Sequence, residues 1–195
     1  MFESAVGQIE RDHARQIEPR LNGRGHMKLK QVKERKEQGE ADQGDARRTQ
    51  SMTPQVFVVD TNVVAAGLIT SSADSPVAAV LDAMLAGELL YLLSPLLLVE
   101  YQAVLTRPKL SALHGLSQRE IEQLLVELTG NAVWRDPQDG PPAPDRGDDH
   151  LWALLRAHPG STLITGDRLL LANPPVAASV ITPRGWFDQL PSAGR

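Results

Sequence analysis

Short apolar runs alternate with helix-like segments from residue 56 onward, and this alternation limits the fold more than any other feature of the chain. The first run, Val56-Phe57-Val58-Val59, consists of strand-forming residues and ends at Asp60. A run that is apolar at every position is typical of a strand that is buried on both faces, as in parallel sheets. Strands that alternate with helices predict an α/β fold, here a three-layer α/β/α domain around a short central parallel sheet.

The other elements are predicted from caps and helix breakers. Strands are expected at 89–93, 162–165 and 180–181, helices at 61–68, 75–86, 95–106, 117–128 and 148–157, and a final turn at 183–190. Their N-caps would include Ser75, Ser94 and Ser117. Glu120 would complete a capping box with the last of these serines. Gly87 and Pro108 are expected to end helices, and the Pro-, Gly- and Asp-rich residues 136–147 to form a loop.

The composition changes sharply near residue 52. Residues 28–50 are almost all charged or polar, and Leu29 and Val32 are their only sizeable apolar side chains. Such a segment buries too little apolar surface to offset the entropy of ordering. We therefore expect residues 1–51 to be a disordered or weakly helical extension and residues 52–195 to form one folded domain. The extension is either a basic tail with a role of its own or the product of a start codon upstream of Met52.

Deleting residues 1–51 is expected to leave the melting temperature of the domain nearly unchanged, because a segment without an apolar face adds little to the free energy of unfolding. Thermal denaturation of the full chain and of the shortened chain checks this. A decrease of several degrees in the shortened chain would instead show that the extension packs on the domain.

Composition excludes several kinds of site. The chain has no cysteine, which excludes disulfides, thiolate zinc sites and a cysteine nucleophile. No apolar run is long enough to span a membrane, and the first residues lack the pattern of a secretory signal, so we expect a cytoplasmic location. Residues 52–195 hold 9 basic and 15 acidic residues. A net-acidic domain is poorly suited to bind nucleic acid unless cations reverse the charge of a site.

Acidic residues stand where the predicted parallel strands end. Asp60 follows the first strand, Asp167 follows the strand at 162–165, and Asp148 and Asp149 begin the helix before that strand. Glu100 lies among apolar residues in the helix after the second strand. Ligands of open parallel sheets bind beyond the carboxyl ends of the strands, so these acids should converge. Without a cation their convergence would raise their pKa values, and oxygen-only ligands suit magnesium or manganese.

Each of these residues taken alone has a simpler interpretation. The aspartates could be only helix N-caps or partners of a helix dipole, and Glu100 could lie on the solvent-exposed side of its helix. His150 is expected at the surface, and Trp152 and Trp186 are expected in the core. The functional interpretation therefore depends on the acids meeting at one edge of one sheet.

Five blocks of sequence, taken in order, resemble the PIN-domain family. They are VFVVDTNVVAAGLI, LLSPLLLVEYQAVLTRPKL, DRGDDHLWALL, LITGDRLLL and VITPRGWF. The likeness covers residues 55–190 and is greatest to the branch of VapC-like ribonucleases, which are toxin components of toxin–antitoxin pairs. Residues 1–51 match no part of that family.

The resemblance implies a set of site residues. By position, the four catalytic and metal-binding acids of the family are Asp60, Glu100, Asp148 and Asp167, with Asp149 as the competing assignment for the third. Residues that would support these acids are Thr61, Asn62 and Thr165. Candidates for contacts with RNA phosphates are Arg107, Lys109, Arg146 and Arg168, each of which could equally be an ordinary surface charge. At Arg146 and Gly147 the chain departs from the branch, which often has Pro and an acidic or polar residue there.

The resemblance implies a metal-dependent endoribonuclease. One or two Mg²⁺ or Mn²⁺ ions held by the acids would activate a water molecule and offset charge on the scissile phosphate. The implied partners are an RNA substrate, a second copy of the chain in a homodimer, and a cognate antitoxin.

Two other functions are compatible with parts of the sequence. One is a catalytically silent PIN-like scaffold or partner-binding module, and the intact acids argue against it. The other is a phosphatase with an aspartyl nucleophile. Such enzymes need a second aspartate two residues after the first and a lysine in the site. This chain has Asn62 at that position, and Lys109 is its only lysine after residue 52.

Overall fold

The computed structural model describes residues 55–72, 74–176 and 178–190. Its strands are β1 (Phe57–Val59), β2 (Leu92–Leu93), β3 (Val133–Trp134), β4 (Thr162–Ile164) and β5 (Ser179–Ile181). Its helices are α1 (Thr61–Ile69), α2 (Pro76–Ala86), α3 (Pro95–Leu105), α4 (Pro108–His114), α5 (Gln118–Asn131), α6 (Asp149–Ala157), α7 (Arg168–Ala172) and α8 (Pro183–Phe187), and a 3₁₀ turn at Arg146–Asp148 precedes α6. The extension predicted at 1–51 lies outside the described residues, so its expected disorder stays a prediction.

The strands form a parallel sheet in the order β3-β2-β1-β4-β5. β1 pairs with β4, β4 with β5 and β2 with β3, and a parallel bridge between Phe57 and Tyr91 joins the two groups. The chain runs outward from β1 to β2 and β3 and then returns to β4 on the other side of β1. β1 and β4 therefore flank the switch point of the sheet, where open α/β folds bind ligands. Parallel strands alternate with helices along the chain, so the predicted α/β fold with a short parallel sheet is confirmed.

Most of the predicted helix ends are confirmed by their caps. The side chain of Ser94 accepts a hydrogen bond from the backbone N of Leu97, and Ser117 and Glu120 form the predicted capping box. Gly87 ends α2 with a φ of 71°, a left-handed conformation that glycine adopts without a steric penalty. Ser75 precedes α2 as predicted, although its side chain makes no capping hydrogen bond.

Several elements differ from the sequence prediction. Pro108 follows the end of α3 but also opens α4, because proline at the first helical position loses no helical hydrogen bond. The sequence does not predict β3, which has only two residues and is too short to show a periodic pattern. The predicted strand at 89–93 is reduced to Leu92–Leu93. α5 continues to Asn131, whose side-chain amide donates to the carbonyls of Met84 and Leu85 at the end of α2.

The core fixes the helices that carry the site. At the contact of α1 with α2, a Cβ atom on Gly67 would lie 2.5 Å from the carbonyl oxygen of Val77, so the two helices approach as closely as glycine allows.

Trp152 and Trp186 are buried, as predicted. Among the helices that the structure describes, none is long and apolar enough to cross a membrane.

Candidate active site

Asp60 lies at the end of β1, where both its backbone and its side chain are fixed. It is the N-cap of α1, and its Oδ1 accepts a hydrogen bond from the backbone N of Asn62 at 2.9 Å. Its Oδ2 accepts one from the hydroxyl of Thr165 at 2.5 Å, and its backbone N donates to the carbonyl of Ile164 at 3.0 Å. Asp60 is thus a helix cap, as its simpler interpretation predicts, and it also connects the ends of β1 and β4 at the switch point.

The surroundings of Asp60 disfavour its negative charge. The residue is 4% exposed, and burial raises the pKa of its carboxyl above the ordinary value of 3.8. The hydrogen bonds from Thr165 and Asn62 lower this pKa, and the charges of Glu100 and Asp167 raise it further. A buried carboxylate with acidic neighbours is a group that a cation would stabilise.

Thr165 connects Asp60 with the acid that follows β4. The Thr165 hydroxyl donates to Asp60 and accepts a hydrogen bond from the backbone N of Asp167 at 2.9 Å. Asp167 is exposed and caps α7, because its carboxylate accepts a hydrogen bond from the backbone N of Leu169 at 2.6 Å. The structure therefore places two of the predicted acids and one predicted supporting residue together at adjacent strand ends.

The other two predicted supporting residues differ in position. Thr61 is buried, and its hydroxyl lies near Glu100 but makes no hydrogen bond of normal geometry. Asn62 is exposed and reaches the site through its backbone N–H, which donates to Asp60.

Helix α3 brings Glu100 to the same site. The neighbouring Tyr101 is fully buried, and its hydroxyl donates to the carbonyl of Val59 at 2.6 Å, which ties α3 to the last residue of β1. The charge of Glu100 reaches Asp60 and raises the pKa of that residue. The side chain of Glu100 is 35% exposed, so it lies at the mouth of the site with access to solvent.

His150 contacts Glu100, and the sequence prediction of a surface position is wrong. Nε2 of His150 lies 2.5 Å from Oε2 of Glu100, and the histidine side chain is only 13% exposed. The ring is covered because α6, which carries it, packs on α3. The only trace of this contact in the sequence is the place of His150 in the first turn of the helix that begins beside Asp148.

The contact between His150 and Glu100 favours opposite charges on the two groups. Burial alone would raise the pKa of Glu100, but His150, with help from Thr61 and Arg107, leaves that pKa below its ordinary value. Burial alone would lower the pKa of His150, but Glu100, the carbonyl of Gly147 and the charge of Asp148 raise it. The contact therefore favours the protonated form of His150 beside the acids.

Asp148 and Asp149 have different partners. Oδ1 of Asp149 accepts a hydrogen bond from the backbone N of Ala143 at 2.7 Å, which fastens the preceding loop to the start of α6. Asp148 ends the 3₁₀ turn, and the charges of Asp60 and Asp167 act on its carboxyl. Asp149 thus holds the loop, whereas the carboxyl of Asp148 lies within electrostatic reach of Asp60 and Asp167.

The pKa of Asp148 is raised to about 6. Burial is the largest cause, followed by the negative charges of Asp60, Asp145 and Asp167, and the positive charge of His150 partly offsets these. The carboxyl therefore binds its proton more tightly in the folded chain than in the unfolded chain. Its contribution to the free energy of unfolding is present at low pH and is lost as the pH rises through about 6.

This linkage gives a prediction for the metal-free protein. Asp148→Asn, which cannot titrate at this position, is expected to be more stable than the wild type at about pH 7.5, and the difference should shrink toward about pH 5. Thermal denaturation in chelator at both pH values measures it, and Asp149→Asn serves as the control. A stability difference that does not change with pH would contradict the raised pKa.

The residues proposed to contact RNA are exposed: Arg107, Lys109, Arg146 and Arg168. Arg107 lies close enough to Glu100 to lower its pKa. Arg146 opens the turn that ends at Asp148, and Arg168 directly follows Asp167. Arg107 therefore acts on one of the acids, and Arg146 and Arg168 lie within two residues of two others in the sequence.

The donor set fits a hard divalent cation by its chemistry. The four acids offer only oxygen atoms, which magnesium and manganese prefer. Within the described residues, no three acidic or histidine side chains lie close enough together to hold one ion between them. Binding of an ion would therefore have to draw these carboxylates closer, and its positive charge would offset both their burial and their mutual repulsion.

Comparison with known families decides the assignment. The sequence profile of a family described as "PIN domain" matches residues 56–169, which is more than half of the chain and includes all four acids. The chain belongs to the PIN-domain family. PIN domains are generally nucleases, so the acids at the switch point lie in a fold that hydrolyses phosphodiester bonds.

The solved structures that match the chain include a PIN domain. The PIN domain of T. brucei RRP44 is 14% identical, and the alignment covers 73% of this chain and 84% of that one with a TM-score of 0.40. No curated protein gives a significant match. The assignment to the PIN-domain family therefore rests on the match of the sequence profile.

Proposed function

We propose that this PIN domain is a divalent-metal-dependent endoribonuclease whose metal ligands are Asp60, Glu100, Asp148 and Asp167. The observation that carries the proposal is the burial of Asp60 among charges of its own sign. The residue is 4% exposed, and its carboxyl lies within electrostatic reach of Glu100 and Asp167. A structural cap needs neither this burial nor these neighbours, since exposed aspartates cap helices equally well.

The chain's own residues would hold the acids in place. Thr165 and the backbone N of Asn62 each occupy one oxygen of Asp60, which fixes its carboxylate plane. Tyr101 holds the helix of Glu100 against the end of β1. A bound divalent cation would supply an activated water molecule and would offset the charge of the phosphate.

The RNA backbone would reach the site along its exposed basic residues. Arg107 and Arg168 are the best placed, because the first acts on Glu100 and the second follows Asp167. Their positive charges would bind phosphates on either side of the acids without reading the base sequence.

Cleavage of a mixed RNA pool tests the proposal. Purified protein is incubated with magnesium or manganese, and a parallel sample receives a chelator. We expect cleavage products with the metal and none with the chelator. Cleavage that ignores the chelator would refute metal dependence, and intact RNA under all conditions would favour a silent PIN-like scaffold.

We also propose that the protein is the toxin of a toxin–antitoxin pair. The support is the resemblance of its five sequence blocks to VapC-like ribonucleases. Expression in growing bacteria checks this role. The wild type should arrest growth and Asp60→Asn should not, and an unaffected culture would count against a toxin.

A homodimer is expected through the helices between Ser94 and Leu128. Large apolar side chains are exposed on these helices: Leu96, Val99, Leu113 and Val126. Solvent contact with such side chains is unfavourable, and a second copy could cover them. Sedimentation at about micromolar concentration should give a dimeric mass, and Val126→Lys should weaken the dimer because it buries a charge. A monomeric wild type would contradict this prediction.

A further inference from the structure

The ring of His150 touches two separate parts of the site. Its Nδ1 lies 3.1 Å from the carbonyl oxygen of Gly147, and its Nε2 lies 2.5 Å from Oε2 of Glu100. Gly147 belongs to the turn that ends at Asp148, whereas Glu100 belongs to α3. The imidazole therefore bridges the segment of the third acid and the helix of the second.

Both partners of this ring are hydrogen-bond acceptors. The carbonyl oxygen of Gly147 can only accept, so Nδ1 presents its N–H there, whereas Nε2 contacts Glu100 at ion-pair distance without hydrogen-bond geometry. The side chain is 13% exposed, which leaves it little room to rotate toward solvent. Rotation of the ring would break both contacts at once, so the ring fixes the direction of the Glu100 carboxylate.

The contact with His150 leaves the other carboxylate oxygen of Glu100 available to bind a metal ion. His150 approaches Oε2, while a carboxylate has two oxygen atoms and several lone pairs. A carboxylate that binds a metal ion is usually oriented by a hydrogen-bonding partner behind it, and loss of that partner weakens metal binding. Glu100 is partly exposed and has a long side chain, so without His150 it would sample several rotamers.

We propose that His150 is a positioning residue that orients the Glu100 carboxylate for a divalent cation by bridging it to the carbonyl of Gly147. The inference rests on the proposed metal-dependent function. It assigns His150 no contact with the RNA or with the reacting atoms.

Manganese binding by the full chain tests this role without any measurement of catalysis. Mn²⁺ is titrated into the wild type, His150→Phe and His150→Gln, and the free ion is followed by its electron paramagnetic resonance signal. We expect His150→Phe to bind Mn²⁺ about 10- to 100-fold more weakly, and His150→Gln, which keeps one donor group, to lose less. His158→Gln, at the opposite end of α6, is the matched control and should bind like the wild type.

A double variant shows whether His150 acts through Glu100. In a Glu100→Gln background the added His150→Phe should cause no further loss of affinity, because the group that it orients has already lost its charge. Losses that add in full would overturn the proposal, as would equal or tighter Mn²⁺ binding by a folded His150→Phe. Where thermal denaturation shows that His150→Phe does not fold, binding by His150→Gln equal to the wild type overturns it instead.

The outcomes also separate this inference from the proposed function. If the wild type neither binds Mn²⁺ nor cleaves RNA, the metal-dependent nuclease and the role of His150 both fail. If the wild type binds the ion and the His150 variants bind it equally well, only the positioning role fails.

Discussion

Asp60→Asn is expected to lower RNA cleavage by on the order of a hundredfold or more while the fold stays intact. The substitution keeps the size of the side chain and removes one negative charge from the site. Asparagine caps helices about as well as aspartate, so a residue that served only as a cap would tolerate the change. Cleavage of a mixed RNA pool with magnesium or manganese, compared with the wild type, measures the loss.

The hydrogen bonds of Asp60 explain why the Asn variant should fold. Its remaining oxygen can still accept from the backbone N of Asn62, and its amide can donate to the hydroxyl oxygen of Thr165, which would turn its hydrogen elsewhere. Because the pKa of Asp60 is raised, the ionised form costs stability at neutral pH. The metal-free variant should therefore melt at the same temperature as the wild type or higher. Cleavage at the wild-type rate by the Asn variant would refute the proposed role.

Asp148→Asn is expected to lose cleavage by a similar factor, on the order of a hundredfold, whereas Asp149→Asn should stay close to the wild type. Asp148 lies within reach of the charges of Asp60 and Asp167. Asp149 holds the backbone N of Ala143, and the side-chain oxygen of asparagine can accept the same hydrogen bond. The two adjacent, matched variants are compared in the same RNA assay.

This pair of variants also tests whether Asp148 or Asp149 is the third acid of the PIN-domain family. Melting temperatures of both proteins control for misfolding, since either residue lies near the start of α6. The reverse order of activities, with Asp149→Asn inactive and Asp148→Asn active, would show that the turn rearranges when metal and RNA bind. Equal loss in both would assign ligand roles to both carboxylates.

Local pattern was enough to predict the alternation of strands and helices in the described domain. The run at 56–59 is apolar at every position, and β1 and β4 are each buried along their whole length. The capping box of Ser117 and the left-handed Gly87 are determined by neighbouring residues, so they too are visible in sequence. Elements of two residues, such as β3, cannot be predicted in this way because pairing with a neighbour makes them strands.

The sequence placed two acids directly after strands, one at a helix start and one within a helix, but it could not place their side chains. Asp60 and Asp167 sit directly after β1 and β4, and parallel pairing of those strands necessarily brings them to one edge. Glu100 lies within a helix, where its direction depends on how α3 packs, and Tyr101 sets that packing through its bond to Val59.

By itself, then, the sequence determined the fold class, the helix caps and the acids at the ends of the strands, because each depends on residues close together in the chain. Only the tertiary structure showed that Asp149 binds the backbone N of Ala143, and that His150 contacts Glu100 on α3 and is largely covered. Side chains of adjacent helical residues point about 100° apart. Neighbouring residues such as Asp149 and His150 can therefore contact different parts of the protein. The packing of segments that are distant in sequence determines which of these side chains finds a partner.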